Sequence, residues 1–451
     1  MKLIHLGLRN FRRYENAQFQ FHTNFTVLIG ENGKGKTTIL DAIAIMLGTY
    51  FLGSKIKTGQ SVLRKDDARL VINEIGGQVF YEPQKEVYLT ATASLSNIPT
   101  PIDWRRDIGD RGGKAKLFYL RGAVDRSEAL LQKETVSLPL LLYYGAGRLW
   151  DIHRHVTTEK PGSQLDAYRY CLDPKSDHKA FEKWFKKLSY SELQKRQILP
   201  ALEAVKKAVL NCIPGATEFY HDTDLDQIVI KLEQEGLVPF NNLSDGYRNM
   251  VAMAADIAHR AARLNPHLES AAAQKTEGVV LIDEIDLHLH PKWQRRVVRD
   301  LQNAFPNMQF IATTHSPFIL QSLDPGEVID LNHDTSPEVI ANAPLNVAAP
   351  GPADQYSNRS IEDIVENVMG VAVPSRSERY QEMYQAAKDY YQLLQYAKDM
   401  PPEQIEPLKR KLDELSAPFS ENVAYHAFLE MERMAADLGK TERGRNVDAA
   451  S

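Results

Sequence analysis

Cysteine is scarce in this chain, with two thiols in 451 residues, Cys171 and Cys212. Their positions show no metal-ligand spacing and no disulfide framework, which fits a reducing compartment, so a cytoplasmic location is expected. No run of about 20 apolar residues is present, and the N-terminus does not read as a signal peptide, so no membrane association is expected. Positive charge is not in excess either. Lys and Arg number 54 against 59 Asp and Glu, a formal net charge of −5, so no global basic field draws the chain to nucleic acid. Sustained heptads are missing between Arg148 and Leu243, which argues against long coiled-coil arms. What is there is 43% hydrophobic content, enough to bury a large core spread over two or three lobes.

Gly30-Glu31-Asn32-Gly33-Lys34-Gly35-Lys36-Thr37 fits the phosphate-binding loop pattern. Its flanks support it: Phe25–Ile29 is a β-branched apolar run that reads as a buried strand, and Thr38–Leu47 carries apolar residues at helical spacing. Glycines let backbone N–H groups close around phosphate oxygens, aided by the positive end of the following helix. Asn32, Gly33, Lys34, Gly35, Lys36, Thr37 and Thr38 are therefore the expected ATP contacts, with Lys36 reaching the β- and γ-phosphates and Thr37 ligating Mg²⁺. Further on, Val279–Ile282 is an apolar strand that ends in Asp283-Glu284. One carboxylate is needed to hold the metal and a second to orient and deprotonate the attacking water; Asp283 takes the first role and Glu284 the second. Alone, Asp-Glu after an apolar run is equally a strand entering an acidic turn, since Asp286 is nearby; the P-loop favours the catalytic reading.

Two more segments complete a set. Leu243-Ser244-Asp245-Gly246-Tyr247 precedes the acidic strand, and Phe310–Thr314 is a strand ending at His315. P-loop, L-S-x-G, acidic strand and strand-end His, in that order, resemble the ABC-type ATPases. That resemblance implies an α/β P-loop ATPase head, a mixed sheet with helices, that dimerises around ATP. It implies that His315 contacts the γ-phosphate in cis, and that Ser244 and the backbone of Gly246 contact it in trans from the other copy. Asp245 stands where the common family form has Gly, and Tyr247 where it has Gln, so a trans contact at Tyr247 is in doubt. Ser244 is equally suited to cap the helix that Tyr247–Ala258 predicts. The family's Q-loop glutamine is absent. Leu138–Tyr144 followed by Gly145-Ala-Gly-Arg148 looks like the equivalent segment, and Arg148 either faces phosphate or closes a structural turn.

The layout follows from these anchors: residues 1–50 as the first lobe of the head; 51–137 as an inserted β-rich and basic segment; 138–242 as strand, Gly-Arg turn and short helical lobe; 243–340 as the remaining head motifs; 341–358 as a Pro/Ala/Asn/Gly-rich linker; and 359–451 as a helical extension. Within the insertion, Ala68–Phe80 and Val87–Ser96 give strand signals, while Trp104-Arg105-Arg106, Arg111, Lys114 and Lys116 form a basic cluster, either a solvated loop or a contact for a DNA backbone. Arg12 and Arg13 are either edge-strand cations or neighbours of the nucleotide. From Arg148 to Leu243 there are only 95 positions (243 − 148), carrying helical patterns at Ala180–Leu188 and Gln197–Leu210, so the head is compact. The extension shows a capped helix at Arg359–Gly370, a stripe of Tyr380, Tyr384, Ala387, Tyr391 and Leu394, and helical patterns at Ile405–Leu415 and Ala424–Leu438.

The N-terminal strand pattern is similar to the SMC, RecF and OLD-type branch of these ATPases. Leu142–Trp150, Leu287-His288-Leu289-His290-Pro-Lys-Trp-Gln294 and Ser360–Gly370 further resemble the PtuA family, the ATPase subunits of bacterial Septu anti-phage systems. This resemblance implies a homodimer or higher homo-oligomer, an HNH nuclease partner bound to the extension, and contact with nucleic acid through that complex. His288 and His290 carry no metal in this reading, two ligands being too few for zinc. A RecF-like repair ATPase that binds DNA itself, and a nucleotide-sensing scaffold with little turnover, are the competing readings.

Overall fold

The computed structural model describes residues 1–59, 62–96, 98–108, 116–131, 136–148, 163–175, 178–332 and 356–369, with isolated helical positions between 385 and 429. Contacts divide the chain into two units, Met1–Ile364 and Val365–Ser451.

In the first unit, β1 (Lys2–Phe11) and β2 (Tyr14–Gln20) are antiparallel neighbours, with Leu6 opposite Phe19 and Leu8 opposite Ala17. Leu6, Leu8, Ala17 and Phe19 are buried, the period-two pattern of a sheet covered on one face, and a register shift between Leu3 and His5 puts the buried Leu3 out of phase with them. β3 (Phe25–Ile29) is buried throughout and leads through the glycine-rich loop into α1 (Lys36–Gly48). The Ala68–Phe80 run is not one strand. Gly76 and Gly77 take φ of +63° and +78°, the mirror-image geometry of a two-residue hairpin turn, and split it into β4 (Leu70–Ile75) and β5 (Gln78–Pro83). β6 (Tyr88–Ser94) and β7 (Ile102–Asp107) then join the first sheet, whose order is β2-β1-β6-β7. Much of the region expected to be an insertion is thus part of the head's own antiparallel layer.

The expectation of a basic loop around Trp104 is corrected here. Trp104, Arg105 and Arg106 lie on β7; Trp104 is buried and stacks on Phe118 of α2 (Lys116–Leu131) with ring centroids 4.0 Å apart, Arg106 is 1% exposed, and Arg105 forms a fork with Asp107 at 2.7 Å. Arg111 and Lys114 lie outside the described residues.

The second sheet positions the site. It is built from β8 (Leu140–Tyr144), β12 (Gly278–Ile282), β13 (Met308–Thr313), β3 and β14 (Val328–Asp330), in the order β14-β3-β13-β12-β8 with every pairing parallel. β3, β8, β12 and β13 are buried at every residue, as parallel strands covered on both faces require. Between β8 and β12 run α3 (His178–Lys195), α4 (Pro200–Cys212), a three-stranded meander of β9 (Ala216–Asp222), β10 (Gln227–Leu232) and β11 (Gly236–Pro239), and α5 (Asp245–Leu264). The helical pair expected before Leu243 is α3 and α4; the meander was not anticipated. Near its end the first unit has Ser360 accepting a hydrogen bond from the Asp363 N–H at 3.1 Å, capping the turn at Ile361–Asp363.

In the second unit, positions 388–390, 407, 410, 411, 413, 414 and 429 are helical, and Tyr390 and Leu429 are buried. The expected linker up to residue 355, the stripe of Tyr380, Tyr384, Ala387, Tyr391 and Leu394, and most of Ala424–Leu438 lie outside the described residues. Among the described residues no helix is long and apolar enough to cross a membrane.

Candidate functional site

Parallel register brings four strand ends to one edge. Ile282 pairs with both Tyr144 and Ala312, and Thr313 pairs with Leu28, so the segments after β3, β8, β12 and β13 leave the sheet side by side. In open α/β sheets this carboxyl edge is where ligands bind. Three of the motifs read from the sequence converge there.

The loop after β3 has the backbone a phosphate nest needs. Gly33 and Gly35 take φ of +83° and +93°, and Gly35 lies so close to Arg13 and Tyr14 that a Cβ would meet them within 2.7 Å. Asn32 and Gly33 are exposed, Lys34 and Thr38 half-buried. Lys36 is buried and folds back over the loop, its Nζ donating to the carbonyls of Gly30 at 2.6 Å and Glu31 at 3.2 Å. Burial lowers its pKa, opposed by the nearby negative charges of Asp283, Glu284 and Asp286.

Thr37 Oγ1 donates to Asp283 Oδ2 at 3.0 Å, although 246 positions separate them in the chain. A hydroxyl at a helix start and a carboxylate at a strand end, facing each other beside the phosphate loop, are the donor set Mg²⁺ takes with ATP. The other Asp283 oxygen accepts from Thr313 Oγ1 at 2.6 Å, and the same Oγ1 accepts from the Glu284 N–H at 2.7 Å. Glu284 has φ +51°, a left-handed conformation that costs a non-glycine residue about 1–2 kcal/mol. Its side chain is half-buried, and His315, after β13, is exposed. Between them Thr314 Oγ1 donates to Asp286 Oδ1 at 2.6 Å, fixing the turn beyond the acidic pair.

The start of α5 lies beside this edge. Ser244 occupies the N-cap position, yet its hydroxyl makes no cap hydrogen bond and the residue is exposed. Gly246 packs on the loop after β12: a Cβ there would sit 2.5 Å from the His288 carbonyl oxygen. Tyr247, in the position of the family's glutamine, packs edge-on against Trp293 with ring centroids 4.3 Å apart. His290 caps the short helix α6 (Pro291–Gln294), its Nδ1 accepting from the Lys292 N–H at 3.2 Å.

Arg148 resolves the open alternative on its turn. It is 4% exposed, and Nη1 and Nη2 donate to the backbone carbonyls of Asp283 at 2.7 Å and Glu284 at 2.9 Å, while Nε donates to Asn249 Oδ1 of α5 at 2.7 Å. Burial pushes its pKa down to about 10. Arg12 is likewise engaged inside the head, bridging Asp41 of α1 at 2.6 Å and Asp67 at 3.0 Å; Tyr143 donates to the other Asp41 oxygen at 3.0 Å. Sequence reasoning missed Thr313, Asn249 and this Arg12–Asp41–Tyr143 brace. Thr313 had a readable signal, a hydroxyl on the last residue of a buried strand, after Phe310-Ile311-Ala312; the other two are set by tertiary packing alone.

Two domain families and several relatives of known name match parts of the chain. A domain family described as "AAA domain" matches residues 5–214, and another, "AAA domain, putative AbiEii toxin, Type IV TA system", matches residues 121–321. The retron Vc95 probable ATPase of Vibrio cholerae is 28% identical over 387 residues, covering 74% of each chain. The Septu protein PtuA of Bacillus thuringiensis is 26% identical over 364 residues, covering 79% of this chain and 81% of its own. The PtuA of Bacillus mycoides is 43% identical over 114 residues, 23% of this chain and 15% of its own. An SMC head solved with the C-terminal winged-helix domain of ScpA aligns over 73% of this chain and 94% of its own, with 17% identity and a TM-score of 0.42. The parallel strand order is that of an α/β P-loop ATPase head, and over most of its length the chain is similar to the PtuA and retron ATPases.

Proposed function

We propose that this chain binds ATP with Mg²⁺ between two copies of itself, hydrolyses it, and through that cycle controls an HNH nuclease in bacterial anti-phage defence. The observation that supports the chemistry most is the Thr37–Asp283 contact at 3.0 Å beside Lys36 and Glu284. Bound Mg²⁺ would neutralise charge on the β- and γ-phosphate oxygens. Lys36 exchanges its carbonyl partners for phosphate oxygens. Thr37 and Asp283 hold the metal, Glu284 takes the proton of the attacking water, and His315 contacts the γ-phosphate. Asn32 to Gly35 and Thr38 present backbone donors to the phosphates. Ser244 and Gly246 act in trans: an exposed hydroxyl that does not cap its own helix, at the start of a 20-residue helix, suits an anion supplied by a second copy.

The nuclease partner is inferred from the likeness to the PtuA proteins, and residues 359–451 are its proposed docking region. The chain is not expected to cut nucleic acid by itself, and the DNA-binding and non-hydrolysing alternatives are the outcomes that would replace this reading. RecF of Lactococcus lactis is 49% identical over 43 residues, only 10% of this chain, which does not favour a repair role. The deciding experiment compares Glu284→Gln with the wild type. The amide keeps the shape of the carboxylate but cannot accept the proton, so ATP binding persists and phosphate release is lost; equal turnover in the two proteins would sink the assignment.

A further inference from the structure

We infer that Arg148 is a positioning residue that couples the two halves of the split site within one head: it lets α5, whose start serves the partner's ATP, set the geometry of Glu284, which serves its own. This rests on the composite-site reading above and deepens it.

The argument begins with the strained peptide. Glu284 has a left-handed backbone, and such a conformation persists only where its surroundings over-determine it. Its N–H is held by Thr313 Oγ1 at 2.7 Å and its C=O by Arg148 Nη2 at 2.9 Å. Arg148 Nη1 holds the preceding carbonyl, that of Asp283, at 2.7 Å. Two adjacent carbonyls gripped by one planar fork fix the direction in which the Glu284 side chain leaves the backbone.

The third arm of the fork leads elsewhere. Nε donates to Asn249 Oδ1 at 2.7 Å, and Asn249 Nδ2 donates on to the Leu287 carbonyl at 3.2 Å. Asn249 is buried and sits three residues after Gly246, so one turn of helix separates it from the proposed trans contact. α5 is tied to β8 where Tyr144 donates to Asp256 at 2.9 Å, and Asn265, just past the helix, pairs with the backbone of Leu138, just before the strand, at 2.7 and 3.0 Å. A displacement of the start of α5, when Ser244 and Gly246 engage phosphate across the dimer, therefore reaches the Asp283 and Glu284 carbonyls through one guanidinium. The Gln of related heads is missing from this turn, and the arginine in its place faces backbone and helix, not solvent.

The consequence is cooperative turnover, in which each site fires efficiently only when the other holds ATP. The test measures ATP hydrolysis against ATP concentration for the full chain as wild type, Arg148→Lys and Asn249→Ala, with ATP affinity by equilibrium binding and folding by circular dichroism. Lysine keeps the charge, but its three donors sit on one nitrogen and cannot reproduce the planar spread of Nε, Nη1 and Nη2 over two carbonyls and a side-chain amide. Arg148→Lys is expected to lose about 10²-fold in kcat, the scale for a misplaced catalytic group, with ATP affinity unchanged. Asn249→Ala, which leaves the grip on the carbonyls, is expected to lower the Hill coefficient from near two toward one while keeping more of kcat. Wild-type kcat and Hill coefficient in either variant would overturn the proposal, as would a loss of ATP affinity that accounts for the whole effect. If Glu284→Gln turns over like the wild type, the ATPase reading itself fails; if Glu284→Gln is dead and Arg148→Lys is normal, only the coupling fails.

Discussion

Gly246→Ala puts the proposed trans contact under the sharpest steric pressure. The added methyl carbon would lie 2.5 Å from the His288 carbonyl oxygen, where ordinary contact starts at 3.4 Å, so something must move by about 0.9 Å (3.4 − 2.5). Neither side yields easily. The obstacle is backbone, His288 is already in a left-handed conformation at φ +61°, and Asn249 ties the same loop to α5 through Leu287. The start of α5 is then displaced from the surface it presents to a second copy. A catalytic contact misplaced by that much loses about 10²-fold in turnover, and overpacking lowers stability by about 1–3 kcal/mol. Phosphate release, ATP binding and thermal melting are measured on the same preparation. Turnover is expected to fall while ATP still binds, because the P-loop contacts in cis are untouched. Gly33→Ala is the contrast: its Cβ meets nothing within 4 Å, but φ of +83° sits in the phosphate loop, so it should weaken ATP binding itself. Normal turnover by a folded Gly246→Ala protein, or a parallel loss of ATP affinity, would refute the reasoning.

Other expectations follow from the same geometry. Lys36→Ala should weaken ATP binding by at least tenfold, on the order of 1.4 kcal/mol for a lost charge on the phosphates, as read by equilibrium binding. Ser244→Arg should leave ATP binding to the head intact and abolish hydrolysis, because a long cation fills the position meant for the partner's phosphate. The purified chain should not cut DNA with Mg²⁺ or Mn²⁺, and deleting residues 359–451 should spare ATP binding while abolishing pull-down of an HNH partner and phage protection together. Robust metal-dependent cleavage by the chain alone, or a truncated chain that still binds the nuclease, would contradict the division of labour.

Much of the site was legible because its chemistry lives on strand ends. A buried parallel strand is a short apolar run, so Asp283 and Glu284 could be read at the end of one, while Lys36 and Thr37 came from the phosphate-loop pattern and the role of His315 from the resemblance to the ABC-type ATPases. The four-strand alignment at Ile282, Tyr144, Ala312 and Leu28 then brings those ends together. Local sequence does not encode long-range partners. Arg148 reads as a turn cation until β8 and β12 are adjacent, and only then do the Asp283 and Glu284 carbonyls come within its reach, with Asn249 of α5 as its third partner. Trp104-Arg105-Arg106 reads as basic and solvated, but Arg106 is drawn inside by packing and Arg105 is neutralised by Asp107 two residues on. The segment after Phe51 reads as an insertion because β6 pairs with β1 across some 80 positions, a register that no periodicity announces. The meander at Ala216–Pro239 was missed although Ile228-Val229-Ile230 is apolar, since neighbouring charged residues hide its alternation.

The central claim, that ATP is held between the P-loop of one copy and the start of α5 of another, is most directly tested by cross-linking across that gap. Cys171 and Cys212 are fully buried and burial pushes both thiols up in pKa, so introduced cysteines react alone. One preparation carries Asn32→Cys and the other Ser244→Cys, both with Glu284→Gln to hold ATP uncleaved, and a short bis-maleimide is added to the mixture. The account predicts a cross-linked species of twice 51.0 kDa that forms only in the mixture and only with ATP and Mg²⁺. A cross-link yield that is the same with and without ATP, or none at all while ATP is bound, would contradict it.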